Sequence, residues 1–191
     1  DHRGFRLPTE DTTSYGKGFE RPVYFATGKP QGLFKYQNRA TGLASTAGKF
    51  SSVFSLASDL LSKYYPELSE LLLKKSKEAY TTGKNNPGVC QTAPCVSPYF
   101  YEEDDWQDDM ALAETQLYKI AKNKQYEQLH GILNRFRKNN DSTWMGNDTM
   151  RHYQWYPFIN LGVYELAKNY GRANMMSSET MLKYGDGIYN V

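Results

Sequence analysis

An all-helical chain of antiparallel hairpins is the fold class that the sequence predicts. Three observations carry that expectation. Apolar residues recur at i, i+3, i+4 and i+7 in six separate segments, the spacing of one helix face. No strand-like alternation of useful length occurs between them. The joints between segments are rich in Gly, Pro and Asn, residues that break helices.

Residues 1–44 hold Pro8, Pro22 and Pro30 with six glycines, and read as irregular loop. Helical spacing begins near Ser45, where Phe50, Val53, Phe54, Ala57, Leu60, Leu61 and Tyr64 are expected to form one buried face. Pro66 suits the first turn of a second helix, with Leu68, Leu71, Leu72, Ala79 and Tyr80 as its stripe and Gly83–Pro87 as its end. A proline-bearing loop over 84–105 follows. A third helix then carries Met110, Ala113, Leu117, Ile120 and Ala121. A fourth carries Tyr126, Leu129, Leu133 and Phe136. A fifth runs from about Pro157 to Tyr170, before Gly171, and a sixth from Ser177 to about Tyr184. Residues 1–191 thus form a single unit, irregular over 1–44 and hairpin-built over 45–191. Bundles, solenoids and α/α-barrels all fit this periodicity.

The 191 residues are enough for one domain with a core. A net charge of +2 gives no electrostatic footprint for nucleic acid. No run of about 18 apolar residues exists, so no membrane span is expected. The polar opening Asp1-His2-Arg3-Gly4-Phe5 lacks a signal-peptide pattern, which leaves a removed signal or an internal piece. Aromatic residues make up 15% of the chain, 16 of them Tyr. They serve either as helix-interface filler with wet hydroxyls or as a groove that stacks on sugar rings. Cys90 and Cys95 are too few for a zinc site. They close a small disulfide loop if the protein is exported, with two free thiols as the alternative.

Chemistry-bearing residues gather in three places, of which the opening Asp1–Asp11, a His and charged residues in irregular loop, suits ligand hydrogen bonding but is uninformative by itself. In Tyr99–Asp109, six carboxylates fall within eight positions, flanked by Tyr101 and Trp106. Such a run is either a solvated acidic helix start, a calcium site, or a carboxylate pair for glycoside acid–base work. The stretch from Trp144 to Tyr156 brings Asp148, Arg151, His152 and four aromatics into thirteen residues. It is either an ordinary loop folded on the core or a ligand loop. No phosphate-loop, dinucleotide, HExxH or GxSxG motif is present.

In order along the chain, these segments resemble glycoside hydrolase family 9, the cellulases and endoglucanases, and in particular the central part of the catalytic domain in enzymes of Bacteroidetes type. Asp1-His2-x-x-Phe5-x-x-Pro8-x-Glu10 is similar to the family's Asp-His-x-x-Trp-x-x-Pro-Glu loop, with Phe where Trp is usual. Thr41–Gly48, Ser97–Tyr101 through Asp109-Met110, Trp144–Thr149 and Tyr156–Gly162 are similar to successive later segments. The resemblance implies an (α/α)6 barrel, of which this chain supplies about half, and hydrolysis of β-glucans with inversion. It implies a calcium ion held by positions resembling Asp104, Asp105, Asp108, Asp109 and Asp148, although the pair at 108–109 is Asp-Asp rather than Asp-Glu. It implies substrate contacts at His2, Phe5 and Trp106. Tyr101 and Trp155 join them as aromatics beside the two loops. The family's catalytic base lies in an Asp-Ala-Gly-Asp motif that this sequence lacks, and its acid follows a His-x-Arg motif further on. Base and acid are therefore expected outside this chain, in the remainder of a parent catalytic domain, and the chain alone is expected to be inactive. A β-glucan partner and a secreted or periplasmic location follow from the same resemblance. The alternatives are a non-catalytic carbohydrate-binding helical module and another α/α-barrel enzyme such as a polysaccharide lyase.

Overall fold

The computed structural model describes residues 25–31, 37–91 and 105–121, together with the helical positions Leu161, Gly162, Glu165 and Lys168. Three helices fall within these bounds: α1 (Ala44–Leu61), α2 (Pro66–Asn85) and α3 (Gln107–Ala121). No strand occurs among the described residues, and no described helix is long and apolar enough to cross a membrane. The fourth and sixth expected helices lie outside the described residues. The fifth is met at its four described positions, all helical.

α1 has no side-chain cap. The loop after α2 supplies acceptors for backbone donors at its start: Leu43 N–H donates to Asn86 O at 2.9 Å and Ser45 N–H to Gly88 O at 3.3 Å. The helix ends where Tyr64 and Tyr65 N–H both turn back onto Leu61 O. Pro66 then opens α2, since a proline at the first helical position sacrifices no hydrogen bond and its ring disfavours helical geometry at Tyr65. The short connection makes α1 and α2 an antiparallel hairpin.

The face by which α1 packs differs from the expected one. Phe50, Val53, Leu60 and Tyr64 are exposed, with Phe50 at 53% and Leu60 at 65%, while Phe54, Ala57 and Leu61 are half-buried. The buried residues are Ala44, Ser45, Ala47, Gly48, Ser51, Ser52, Ser55 and Ser58. α2 behaves alike: Leu68 and Leu71 are exposed and Leu72, Ala79 and Tyr80 half-buried, whereas Ser69, Ser76 and Gly83 are buried. The reason lies in the seam chemistry. Positions 44, 48, 51, 55 and 58 alternate steps of four and three, and 69, 76 and 83 are seven apart, the spacing of a helix–helix seam. Small side chains there allow close approach. Their hydroxyls are satisfied across the seam: Ser55 Oγ and Ser76 Oγ lie 2.6 Å apart, Ser76 Oγ donates to Ser51 O at 2.8 Å, and Ser58 Oγ meets Ser69 O at 2.8 Å.

α3 is buried around most of its circumference from Asp108 to Leu117. Met110, Ala113 and Leu117 are buried as expected, and Ile120 is half-buried. Gly48 of α1 lies so close to α3 that a Cβ there would stand 2.7–2.9 Å from atoms of Asp109. On another side, Gly162 meets the backbone of Ala111 and Leu112, and its carbonyl accepts from Thr115 Oγ1 at 3.3 Å.

Directions follow from these pairings. Across the α1–α2 seam, Ser51 meets Ser76 and Ser58 meets Ser69, an antiparallel register. Across α1–α3, Lys49 meets Asp109 and Asp59 meets Lys119 at 3.8 Å, a parallel register with the same offset of 60 residues at both ends. α1 packs on both partners, and α2 and α3 meet only marginally. Two parallel helices side by side, with the intervening antiparallel helix displaced from the second, are the repeat of an α/α-barrel wall.

Candidate functional site

The parallel pairing of α1 and α3 puts both N-termini at one end, beside the C-terminus of α2. The two described loop segments meet at this end. Thr41 and Gly42 N–H donate to Val89 O at 2.9 and 3.1 Å, and Val89 N–H returns a bond to Thr41 Oγ1 at 3.1 Å. Asn38, buried, donates from Nδ2 to Gln91 O and accepts from Gln31 N–H at Oδ1, both at 2.9 Å. Gly88 has φ +131, and a Cβ there would strike Thr41 and Gly42, so only glycine lets the strands of loop close up. Cys90 is a half-buried free thiol whose N–H donates to Ser45 Oγ at 2.9 Å. Cys95, the other half of the expected bridge, lies outside the described residues.

Onto this platform α3 begins with Asp105-Trp106-Gln107-Asp108-Asp109. Asp105 Oδ1 accepts from Gln107 N–H at 2.9 Å and so occupies one free donor of the helix start. Trp106 is half-buried, and its carbonyl accepts from Met110 N–H at 3.2 Å. Asp108 and Asp109 lie in the first turn and are buried. Carboxylates at this position complement the partial positive charge of a helix N-terminus. Asp109 has in addition an ammonium partner: Lys49 Nζ stands 2.6 Å from its Oδ2, with the lysine side chain 44% exposed and the aspartate 3%. One turn further on, Glu114 is also buried.

The structure therefore brings Asp105, Trp106, Asp108 and Asp109 to one helix start. His2, Phe5, Tyr101, Asp104, Asp148 and Trp155 lie outside the described residues. Among the described residues no group of three or more His, Cys, Asp or Glu side chains converges as a metal site. At the start of α3 the described carboxylates are Asp105, Asp108 and Asp109, and Asp105 Oδ1 and Asp109 Oδ2 each have a close donor. Lys49 and Glu114 were not singled out by sequence reasoning. Nothing local marks Lys49, whose partner is 60 residues away. Glu114 lies four residues after Met110 and three before Leu117, so spacing places it on their buried face, but a search for apolar residues passes over a carboxylate there.

Neither the search of curated proteins nor that of solved structures gives a match. The sequence model of glycosyl hydrolase family 9 matches residues 1–186. That span includes all three described helices and the loops between them, and the helical architecture agrees with the (α/α)6 barrel of that family. The chain belongs to glycosyl hydrolase family 9, and its substrate class is a polysaccharide.

Proposed function

We propose that this chain is part of the catalytic domain of an inverting β-glucan hydrolase of endoglucanase type. The observation that carries the reading is the family match over residues 1–186 combined with an acidic, Trp-bearing helix start at the loop end of the described helices. Inversion needs a carboxylate that activates water and an acid that protonates the leaving oxygen, about 6.5–9.5 Å apart. Asp108 and Asp109 are adjacent in one helical turn, and Asp109 is bound to Lys49. That arrangement suits holding the loop end together better than it suits protonating a leaving group. Base and acid are accordingly assigned outside this chain, on the remainder of a parent catalytic domain.

In this reading His2, Phe5, Tyr101, Trp106 and Trp155 contact the sugar chain, and a structural calcium ion draws on Asp104, Asp105, Asp108, Asp109 and Asp148. The family resemblance supports the ion; one oxygen each of Asp105 and Asp109 accepts a hydrogen bond. A secreted or periplasmic location and an origin of Bacteroidetes type belong to the same reading. The test is reducing-sugar release from carboxymethylcellulose and barley glucan by the 191-residue chain, alongside quenching of Trp fluorescence by cello-oligosaccharide. The expected outcome is no turnover, with a quench that Trp106→Ala largely removes. Robust turnover lost on changing Asp105 or Asp148 would overturn the assignment of the catalytic pair.

A further inference from the structure

We propose that Asn38 is a positioning residue for the loop end: its side-chain amide couples segment 27–31 to segment 86–91, the root of the acidic stretch that carries Tyr101 and Trp106. The effect on sugar binding rests on the sugar-contact reading above; the clasp itself does not. Segment 37–43 lies between the other two. On one side Thr41 and Gly42 N–H donate to Val89 O, and a Cβ on Gly42 would strike Pro87 O. On the other, Asn38 N–H donates to Gln31 O at 2.8 Å, and a Cβ on Gly28 would stand 3.2 Å from the Gly42 backbone. Asn38 is 4% exposed, and its one amide serves both sides. Oδ1 accepts from Gln31 N–H at 2.9 Å and from Ala40 N–H at 3.3 Å, while Nδ2 donates to Gln91 O at 2.9 Å. Gln91, buried too, answers with its own side chain, whose Oε1 accepts from Arg39 N–H at 2.9 Å. Two N–H donors and one carbonyl fix which end of the Asn38 amide points where, and a carboxylate or an aliphatic group meets only part of that demand. Gln91 stands at the head of residues 92–104, and Asp105 ends that stretch on the start of α3. Asn38 acts on Tyr101 and Trp106 through this root and needs no sugar contact of its own.

The experiment compares the 191-residue chain with Asn38→Asp and, as a control for stability alone, with Ser58→Ala in the α1–α2 seam. Each is titrated with cello-oligosaccharide by Trp fluorescence well below its melting midpoint, and its amide hydrogen exchange is measured without sugar. Asn38→Asp keeps an acceptor for Gln31 and Ala40 N–H but turns a second acceptor toward Gln91 O. Its sugar affinity should fall about tenfold at neutral pH, and the Arg39 and Val89 amides should exchange faster than in wild type. Lowering the pH protonates the introduced carboxyl, which can then donate to Gln91 O, so the affinity relative to wild type at the same pH should recover. Ser58→Ala should lower the melting midpoint and leave sugar affinity unchanged. Two outcomes overturn the proposal: Asn38→Asp binding sugar as tightly as wild type, or Ser58→Ala weakening sugar binding as much as Asn38→Asp does. Should Asn38→Asp fail to fold at neutral pH, Gln91→Ala takes its place; it removes the side-chain acceptor for Arg39 N–H, and an unchanged sugar affinity then overturns the coupling. A wild type that shows no quench sinks the sugar-contact reading alone, and exchange at Arg39 and Val89 still decides whether Asn38 holds the two segments together.

Discussion

At the scale of single residues, two ion pairs with similar distances have different consequences. Lys75 donates to Glu78 at 2.8 Å on open α2 surface, and that hydrogen bond is the main cause of the lowered Glu78 pKa. The pair's small contribution is in place above the ordinary glutamate range and fades as pH falls through the lowered value; salt screens it throughout. Lys49–Asp109 lies where two helices touch, so it also fixes geometry. Gly48 beside it is the clearest single test of that contact. Its Cβ would meet the Asp109 backbone and Cβ at 2.7–2.9 Å, and backbone cannot rotate away. Gly48→Ala gains helix propensity but overpacks the seam, and a net loss on the order of 1–2 kcal/mol is expected. A urea melt with unchanged slope and a lower midpoint checks it. A more stable variant would mean that α1 and α3 are further apart than the structure shows.

At the scale of the element, α1 runs against the usual reading of an amphipathic helix. Its large apolar residues look outward, with Phe50 and Phe54 rings 5.6 Å apart on that side, and its serines look inward. Serine is a middling helix former because its hydroxyl competes for backbone partners, so α1 depends on tertiary packing for its stability. Two substitutions separate the faces. Ser55→Leu puts a branched side chain into the Ser55–Ser76 contact and should cost about 1–3 kcal/mol. Val53→Ser, on the exposed face, should change stability by no more than about 0.5 kcal/mol. If the costs are reversed, the apolar face is the packed one. The register of small residues at 44, 48, 51, 55 and 58 is present in the sequence, but hydrophobicity ranks serine as surface, so a search for apolar stripes passes over it.

At the scale of the whole molecule, the apolar side of α1 is where a further layer of an α/α barrel would lie. Single exposed apolar residues are ordinary, but Phe50, Val53 and Leu60 share one face of α1. The 191-residue chain by itself should therefore associate as its concentration rises. Sedimentation velocity should show this at micromolar to millimolar loading, and Phe50→Ser with Leu60→Ser should return the chain to monomer without lowering its melting midpoint. A monomer at all concentrations would indicate that the face is already covered in solution.

The helices α1, α2 and α3 were legible from sequence to within a few residues, because periodicity, Pro66 and the Gly–Asn–Pro stop after α2 act locally. The acidic start of α3 was legible too, since like charges packed into eight positions require an explanation wherever they fold. Tertiary structure alone decided which faces of α1 and α2 are inside, whereas the stripe of Met110, Ala113 and Leu117 on α3 is buried as the spacing predicts. A period of 3.6 says which residues share a face, but two opposite faces have the same period, and close approach plus hydroxyl bonding favoured the small polar one. It alone gave Asp109 its partner, because Lys49 comes to it through the parallel register of two helices, a pairing across 60 residues that no local pattern encodes.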